Sequence, residues 1–267
     1  MKRLLITGAS GGLGSVCRER LPHMADILRL SARKDIGPAA AHEEIVPCDL
    51  SDREAVEKLV EGCDGIIHMG GQPNEAPWEV VRNSNIDGMF NLYEAARIHG
   101  VKRIFYASSN HAIGFYEQDQ KLDANSPPKP DSLYGVSKVF GEALSSMYYD
   151  KFGIETARVR IGSSFPEADN HRMLSTWFSY DDLILLIERV FAVSRLGCPI
   201  IYGVSDNDCS WWDNSEVGYI GWKPKDNSEQ FREALDKKSS PPEKDDVNAK
   251  YQGGGMTAFD YHNRWHS

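Results

Sequence analysis

Tyr134 and Lys138 stand four residues apart in Tyr134-Gly135-Val136-Ser137-Lys138, which puts a phenol and an ammonium on one face of a helix. A free tyrosine titrates near pH ~10, and bringing it close to neutrality takes ~4 kcal/mol. One ammonium at ~4 Å in a medium of effective dielectric about 20 supplies about that much. A phenol so placed can take a proton from a hydroxyl while the carbon that bears it loses a hydride. By spacing alone the pair also fits a surface Tyr and Lys. Upstream, the apolar run Arg103–Ala107 ends in Ser108-Ser109-Asn110-His111, delivering two hydroxyls, an amide and an imidazole to the carboxyl end of a strand, where ligands of open α/β sheets bind. His111 fits either a ligand contact or a hydrogen-bonded core histidine. Arg172 could grip a carboxylate bidentately, or form a surface ion pair with Glu167 or Asp169.

A second constellation lies near the start. Thr7-Gly8-Ala9-Ser10-Gly11-Gly12-Leu13-Gly14 falls between an apolar run and an amphipathic stretch, the place where a dinucleotide's pyrophosphate meets backbone N–H groups and the positive end of a helix. Glycines are needed there because a Cβ would block that approach. Asp49, before Leu50, could accept from an adenine amino group or belong to a helix N-terminal cap before Ser51-Asp52. Ser31-Ala32-Arg33-Lys34-Asp35 lies ~20 residues after the glycines, where an acid favours NAD and an arginine NADP. Arg33 and Lys34 favour NADP and Asp35 favours NAD, so the local sequence leaves coenzyme choice open.

The elements that must position these groups alternate. Strands are expected at Arg3–Thr7, Asp26–Leu30, Glu44–Pro47, Gly65–Met69, Arg103–Ala107, Thr156–Ile161 and Pro199–Tyr202. Helices are expected after the turn at Gly8 to about Leu21 and over Asp52–Glu61, Trp78–His99, Ser132–Lys151 and Asp181–Val193, with a short one around Ser228–Leu235. This alternation predicts an α/β fold, a doubly wound parallel sheet of Rossmann type with helices on both faces and a small C-terminal extension. One domain is expected over 1–267, its substrate pocket formed mainly by 108–180 and by a docking tail at about 237–267. Lys237–Asp246 reads as a linker, and Tyr251–Ser267 carries Tyr251, Phe259, Tyr261 and Trp265, too many aromatics for a solvated tail. It should dock, on this chain or on a neighbouring subunit.

The 267 residues, 41% hydrophobic and 26% charged, can bury a sizeable core, which excludes collagen-like, coiled-coil and wholly disordered classes. A net charge of −9 removes the electrostatic footprint of a nucleic-acid binder. No apolar run reaches the ~20 residues of a membrane span. Met1-Lys2-Arg3 is followed only by Leu4-Leu5-Ile6 before Thr7-Gly8, too short for a signal peptide, so a cytoplasmic location is expected. Cys17, Cys48, Cys63, Cys198 and Cys209 are scattered, with no zinc spacing or disulfide framework, and no metal site is expected.

Taken together, the Gly8/Gly11/Gly14 loop, Asp49-Leu50, His68-Met69-Gly70-Gly71, Asn85-x-x-Gly88 leading into Asn91-Leu92-Tyr93-Glu94-Ala95-Ala96, Ser108-Ser109 and Tyr134-x-x-x-Lys138 resemble the short-chain dehydrogenase/reductase superfamily. The Asn85 helix and the serine pair look like its extended, epimerase-like branch. Within that branch the chain resembles the uronate dehydrogenases down to Gly254, through Ala107–His111, Leu133–Lys138, Val159–Ser163, Arg172–Ser179 and Gly221–Asn227. Ala32 stands where that family has its acidic ribose-binding residue, and the tail diverges beyond Gly254. The resemblance implies oxidation of D-glucuronate or D-galacturonate at C1 to the aldarolactone, with NAD as acceptor, and a homo-oligomeric assembly. It implies Tyr134 as base, with Lys138, Ser109 and Asn85 completing the catalytic set, Asn85 supporting Lys138 through a water. Gly8, Gly11, Gly12, Leu13, Gly14, Arg33, Asp49, Leu50, Met69, Gly70, Gly71, Asn85, Ser108, Tyr134, Lys138 and Ile161 would hold the coenzyme. Ser109, Asn110, His111, Tyr134, Ser163 and Arg172 would hold the sugar acid. An epimerase or dehydratase of nucleotide sugars, and a non-catalytic NAD(P) sensor, are the other expectations this framework allows.

Overall fold

Parallel strands covered on both faces need apolar side chains on both, and Leu4, Leu5, Ile6, Ile66, Ile67, Ile104 and Phe105 are all fully buried. The computed structural model describes residues 1–259. Its first half runs β1 (Arg3–Thr7), α1 (Gly12–Arg20), β2 (Ile27–Ser31), β3 (Glu43–Ile45), α2 (Arg53–Val60), β4 (Gly65–His68), α3 (Trp78–Val81), α4 (Gly88–Ile98) and β5 (Arg103–Ser109). Then come α5 (Leu133–Phe152), β6 (Glu155–Ile161), α6 (Met173–Thr176), α7 (Tyr180–Ala192), β7 (Ile200–Gly203), α8 (Arg232–Lys238) and α9 (Val247–Lys250). Seven strands form one sheet in the order β3-β2-β1-β4-β5-β6-β7. β1 pairs in parallel with β2 and β4, β2 with β3, and β4 with β5. The chain order turns back at β1, so the ends of β1 and β4 flank the topological switch point, where the glycine loop begins.

Two compact units divide the chain. The first comprises Met1–Ala107, Phe140–Arg158 and Val190–Pro199. Its core packs Leu5, Val56, Leu59, Ile66, Leu92, Tyr93, Ile104 and Tyr148. The buried Tyr93 hydroxyl is satisfied by Thr156 Oγ1 at 2.9 Å. The second comprises Ser108–Val139, Val159–Arg189 and Ile200–Ser267. It holds two apolar clusters, one around Ile113, Leu122, Tyr202, Val204 and Trp212, the other around Met173, Leu174, Trp177 and Leu235. Asp182, 1% exposed, ties α7 to a loop of this unit by accepting from Ser205 Oγ at 2.6 Å and from the Lys225 and Asp226 amides at 2.8 and 3.2 Å. Burial pushes its carboxyl above the usual range.

The structure departs from the periodicity in three places. The helix expected over Trp78–His99 is interrupted by a π-helical turn at Arg82–Asp87. β5 continues through Ser108 and Ser109. Lys237 and Lys238, expected in a linker, finish α8. The described part of the tail makes its contacts within the second unit. Fully buried Gln252 donates its amide to the Glu117 and Gln120 carbonyls at 3.1 and 2.8 Å and accepts from Trp212 Nε1 at 2.8 Å. Tyr261 and Trp265 lie outside the described residues. Among the described residues no helix is long and apolar enough to cross a membrane.

Candidate active site

In the first unit, the glycine loop packs backbone on backbone. Gly8 has φ +71°, and a Cβ there would lie 2.7 Å from the Met69 carbonyl, while a Cβ on Gly14 would lie 2.1 Å from the Gly8 oxygen. Thr7 Oγ1 accepts from the Gly70 amide at 3.1 Å and meets His68 Nδ1 at 2.7 Å, tying the end of β4 to that of β1. Gly12 differs, since a Cβ there meets nothing within 4 Å. At the same point α1 begins on Gly11 with no side-chain cap and no acid in its first turn, so no cap side chain takes up its N-terminal amides. That cradle fits the pyrophosphate of a dinucleotide.

The contrast between Gly12 and Gly14 makes an expectation. Gly12→Asp leaves the melting temperature within a few degrees, because an acid in the first turn suits the helix dipole by ~0.5 kcal/mol. The same carboxylate faces the pyrophosphate, and coenzyme Kd should rise by about two orders of magnitude, as ~3 kcal/mol of repulsion would give. Calorimetric titration alongside a thermal melt checks both halves.

Around this cradle, Asp49 Oδ1 accepts from the Ser51 amide and hydroxyl, both at 2.9 Å, and these hydrogen bonds hold its carboxyl below the usual range. Asp52, rather than Asp49, caps α2 through the Ala55 amide at 3.1 Å. Ala32 is buried and Arg33 exposed. Asn85 sits in the π-helical turn and clamps the backbone of Gln72, accepting from its amide at 2.7 Å and donating to its carbonyl at 3.0 Å. The widened turn thereby fixes the loop that follows Gly70-Gly71.

In the second unit, Ser132 starts α5 by accepting from the Gly135 amide at 2.9 Å, which sets Tyr134 and Lys138 on the helix's first turns. Tyr134 is 8% exposed and hydrogen-bonded to Ser109. Ser109 Oγ also accepts from the His111 amide at 3.2 Å. Lys138 Nζ lies over the Tyr134 ring, 5.4 Å from its centroid. Burial pushes Tyr134 up to about 12, the Ser109 hydrogen bond opposing it and the Asp131 charge adding to it. Spacing at i and i+4 brings the two side chains together but leaves the ammonium against the ring face.

Arg172 is placed by the tail. Its Nε donates to the Gln252 carbonyl at 2.8 Å, and its Nη2 donates to the same oxygen. With the Asn110 amide in the orientation its neighbours require, Asn110 accepts from Arg172 Nη2 at 2.7 Å and donates to the Ile161 carbonyl at 3.2 Å. Among the described residues these are its partners, and neither Glu167 nor Asp169 pairs with it. The Nε/Nη2 edge is occupied, and Nη1 carries the donors left for a ligand. Burial lowers this guanidinium to about 10, with Asp131 as the opposing charge. Ser163 Oγ pairs with Thr176 Oγ1 at 2.9 Å. His111 Nδ1 meets Asp131 Oδ2 at 2.8 Å, and its ring stands edge-on to Tyr134 with centroids 5.8 Å apart. A phenol, a hydroxyl partner, an imidazole and a half-buried arginine therefore share one unit.

Residues 4–179 match the NAD dependent epimerase/dehydratase family. The chain belongs to that family. Among its relatives, a uronate dehydrogenase of Agrobacterium fabrum is 57% identical over 254 residues, covering 95% of this chain and 96% of that protein. The crystal structure of a uronate dehydrogenase variant from Agrobacterium tumefaciens, a tyrosine-to-alanine substitution complexed with NAD, superposes with a TM-score of 0.96 at 55% identity, covering 97% of this chain and 98% of that one. A glucuronic acid dehydrogenase from Chromohalobacter salexigens gives a TM-score of 0.96 at 50% identity, covering 97% of each chain. Within this family frame, Asp131 and Gln252 are the site residues that sequence reasoning missed. Asp131 stands next to the helix-starting Ser132, and Gln252 precedes three consecutive glycines, but neither pattern says what the side chain touches.

Proposed function

We propose that the protein oxidises the anomeric carbon of a hexuronate, D-glucuronate or D-galacturonate, to the aldarolactone with NAD as acceptor. The observation that carries this reading is Arg172, a half-buried residue whose guanidinium is fixed by Gln252 and Asn110 in the unit that also holds Tyr134 and Ser109. A neutral aldose has no use for a cation held in this way. A uronate does, and the identity to uronate dehydrogenases over 95% of the chain supports the same substrate class.

Bound NAD, cradled at residues 8–14 and at the ends of β1 and β4, supplies the acceptor for the C1 hydride and a positive charge. The chain's own residues do the rest. Ser109 orients the anomeric hydroxyl towards Tyr134, and Tyr134 takes its proton. Lys138 favours the phenolate that results. Asn110 and His111 contact ring hydroxyls, while Arg172 Nη1 and Ser163 hold the carboxylate end. C1 of the closed ring loses a hydride and its hydroxyl a proton, so the product is a lactone.

Initial rates with D-glucuronate, D-galacturonate and glucose, each with NAD⁺ and NADP⁺, test the reading. Reduced coenzyme should accumulate with the uronates and NAD⁺, and glucose should be inert. The NADP⁺ arms measure what Ala32 and Arg33 permit. Failure of every uronate arm with a correctly folded protein overturns the proposal.

A further inference from the structure

Asp131 is a carboxylate placed where an apolar side chain would cost less. Its side chain is 0% exposed. Its described hydrogen-bond partners are Ser132 Oγ on Oδ1 at 2.8 Å and His111 Nδ1 on Oδ2 at 2.8 Å, with no Lys or Arg in salt-bridge contact among the described residues. The fold also leaves out two side chains to accommodate it. A Cβ on Gly114 would lie 1.8 Å from Asp131 Oδ2, and one on Gly253, in the docked tail, would lie 1.9 Å from the same atom. Two distant segments thus close on one carboxylate oxygen, and that oxygen faces an imidazole.

We infer that Asp131 is a positioning residue for sugar recognition: its buried carboxylate holds His111 in the Nδ1–H form, so that Nε2 accepts a hydrogen bond from a ring hydroxyl of the substrate. A neutral imidazole has one N–H, and the partner of one nitrogen decides the role of the other. With Asp131 Oδ2 accepting at Nδ1, the neutral ring presents Nε2 as an acceptor. It makes no hydrogen bond among the described residues, and the ring retains 18% exposure beside Tyr134. A hydroxyl can donate to it. A group that only accepts cannot, so the Asp131–His111 pair selects for a free hydroxyl at that ring position. This inference rests on the sugar-acid reading of the pocket and adds to it the polarity of one contact.

A double-mutant cycle over Asp131→Asn and His111→Ala, read as kcat/KM for the better uronate, tests it. Asp131→Asn should lower kcat/KM about tenfold to a hundredfold, the range set by one buried hydrogen bond lost or left unpaired. The loss should fall chiefly on KM, with coenzyme Kd unchanged. If Asp131 acts through His111, the double variant is no worse than His111→Ala alone. Additive losses, or an Asp131→Asn enzyme with unchanged KM, overturn the proposal. The wild-type protein gives a readout that needs no folded variant. In its ¹⁵N imidazole spectrum, with His111 assigned by the signal lost in His111→Ala or through its backbone, Nδ1 should appear protonated and Nε2 bare. A protonated Nε2 would overturn the tautomer assignment. Wild-type enzyme inert to every uronate would instead defeat the substrate reading, while the spectrum still decides what Asp131 does to His111.

Discussion

Tyr134→Phe should depress kcat by about three to four orders of magnitude, the upper part of the range for a positioned proton acceptor. Coenzyme affinity should stay within about twofold, because the pyrophosphate cradle is built from residues of the other unit. Stability should change by no more than ~1.5 kcal/mol, since the ring keeps its buried place and only the hydrogen bond to Ser109 is lost. The wild-type pH profile carries a second signature. Burial raises the Tyr134 pKa to about 12 in the chain itself, and the reactive form is the deprotonated one. The active fraction therefore grows as pH rises towards that value, and kcat/KM should climb about tenfold per pH unit on the alkaline limb below it. The residual activity of Tyr134→Phe should lose this limb. Wild-type-like turnover by the variant, or an unchanged alkaline rise, would remove Tyr134 from the proton's path.

How much of this was legible beforehand follows the range of the interactions. The β-α alternation came from local periodicity, and the strand ends carrying Gly8, Met69 and Ser109 were visible as places where an apolar run stops at small or polar residues. The π-helical turn was not. It depends on the clamp between Asn85 and the Gln72 backbone, a bond across 13 positions that leaves no mark on the 3.6-residue pattern of the helix. The tail shows the same limit more strongly. Its aromatic content predicts docking without saying where, and the contacts of its described part are Gln252 with Trp212 and Arg172 with Gln252, the latter across 80 positions. Arg172 also shows how a nearby alternative misleads. Glu167 and Asp169 are close in sequence, yet a backbone carbonyl from the tail holds the guanidinium. Lys138 marks another limit, because i, i+4 spacing fixes where two Cβ atoms lie and says little about where a four-carbon stem delivers its charge, here over the Tyr134 ring.

Arg172→Met should raise the uronate KM about a hundredfold with kcat reduced far less, because the loss of a charge-assisted hydrogen bond in a buried setting amounts to ~3 kcal/mol of binding. Discrimination against glucose should shrink by the same factor, since the neutral sugar never used the cation. The Arg172 pKa bears on the interpretation. Burial brings it to about 10, so the guanidinium stays charged throughout a neutral assay, and the KM effect should be flat with pH below about 9. Arg172→Lys separates charge from shape. An ammonium restores the charge but cannot hold the Gln252 carbonyl with Nε and Nη2 while meeting Asn110, so recovery should be partial. Both variants leave the Gln252 carbonyl short of donors, which predicts a lower melting temperature from a loosened tail, and KM must be measured well below that transition. If KM for both uronates stayed at the wild-type value in a folded Arg172→Met enzyme, the carboxylate would be held elsewhere, and Arg172 would be a strut for the tail alone.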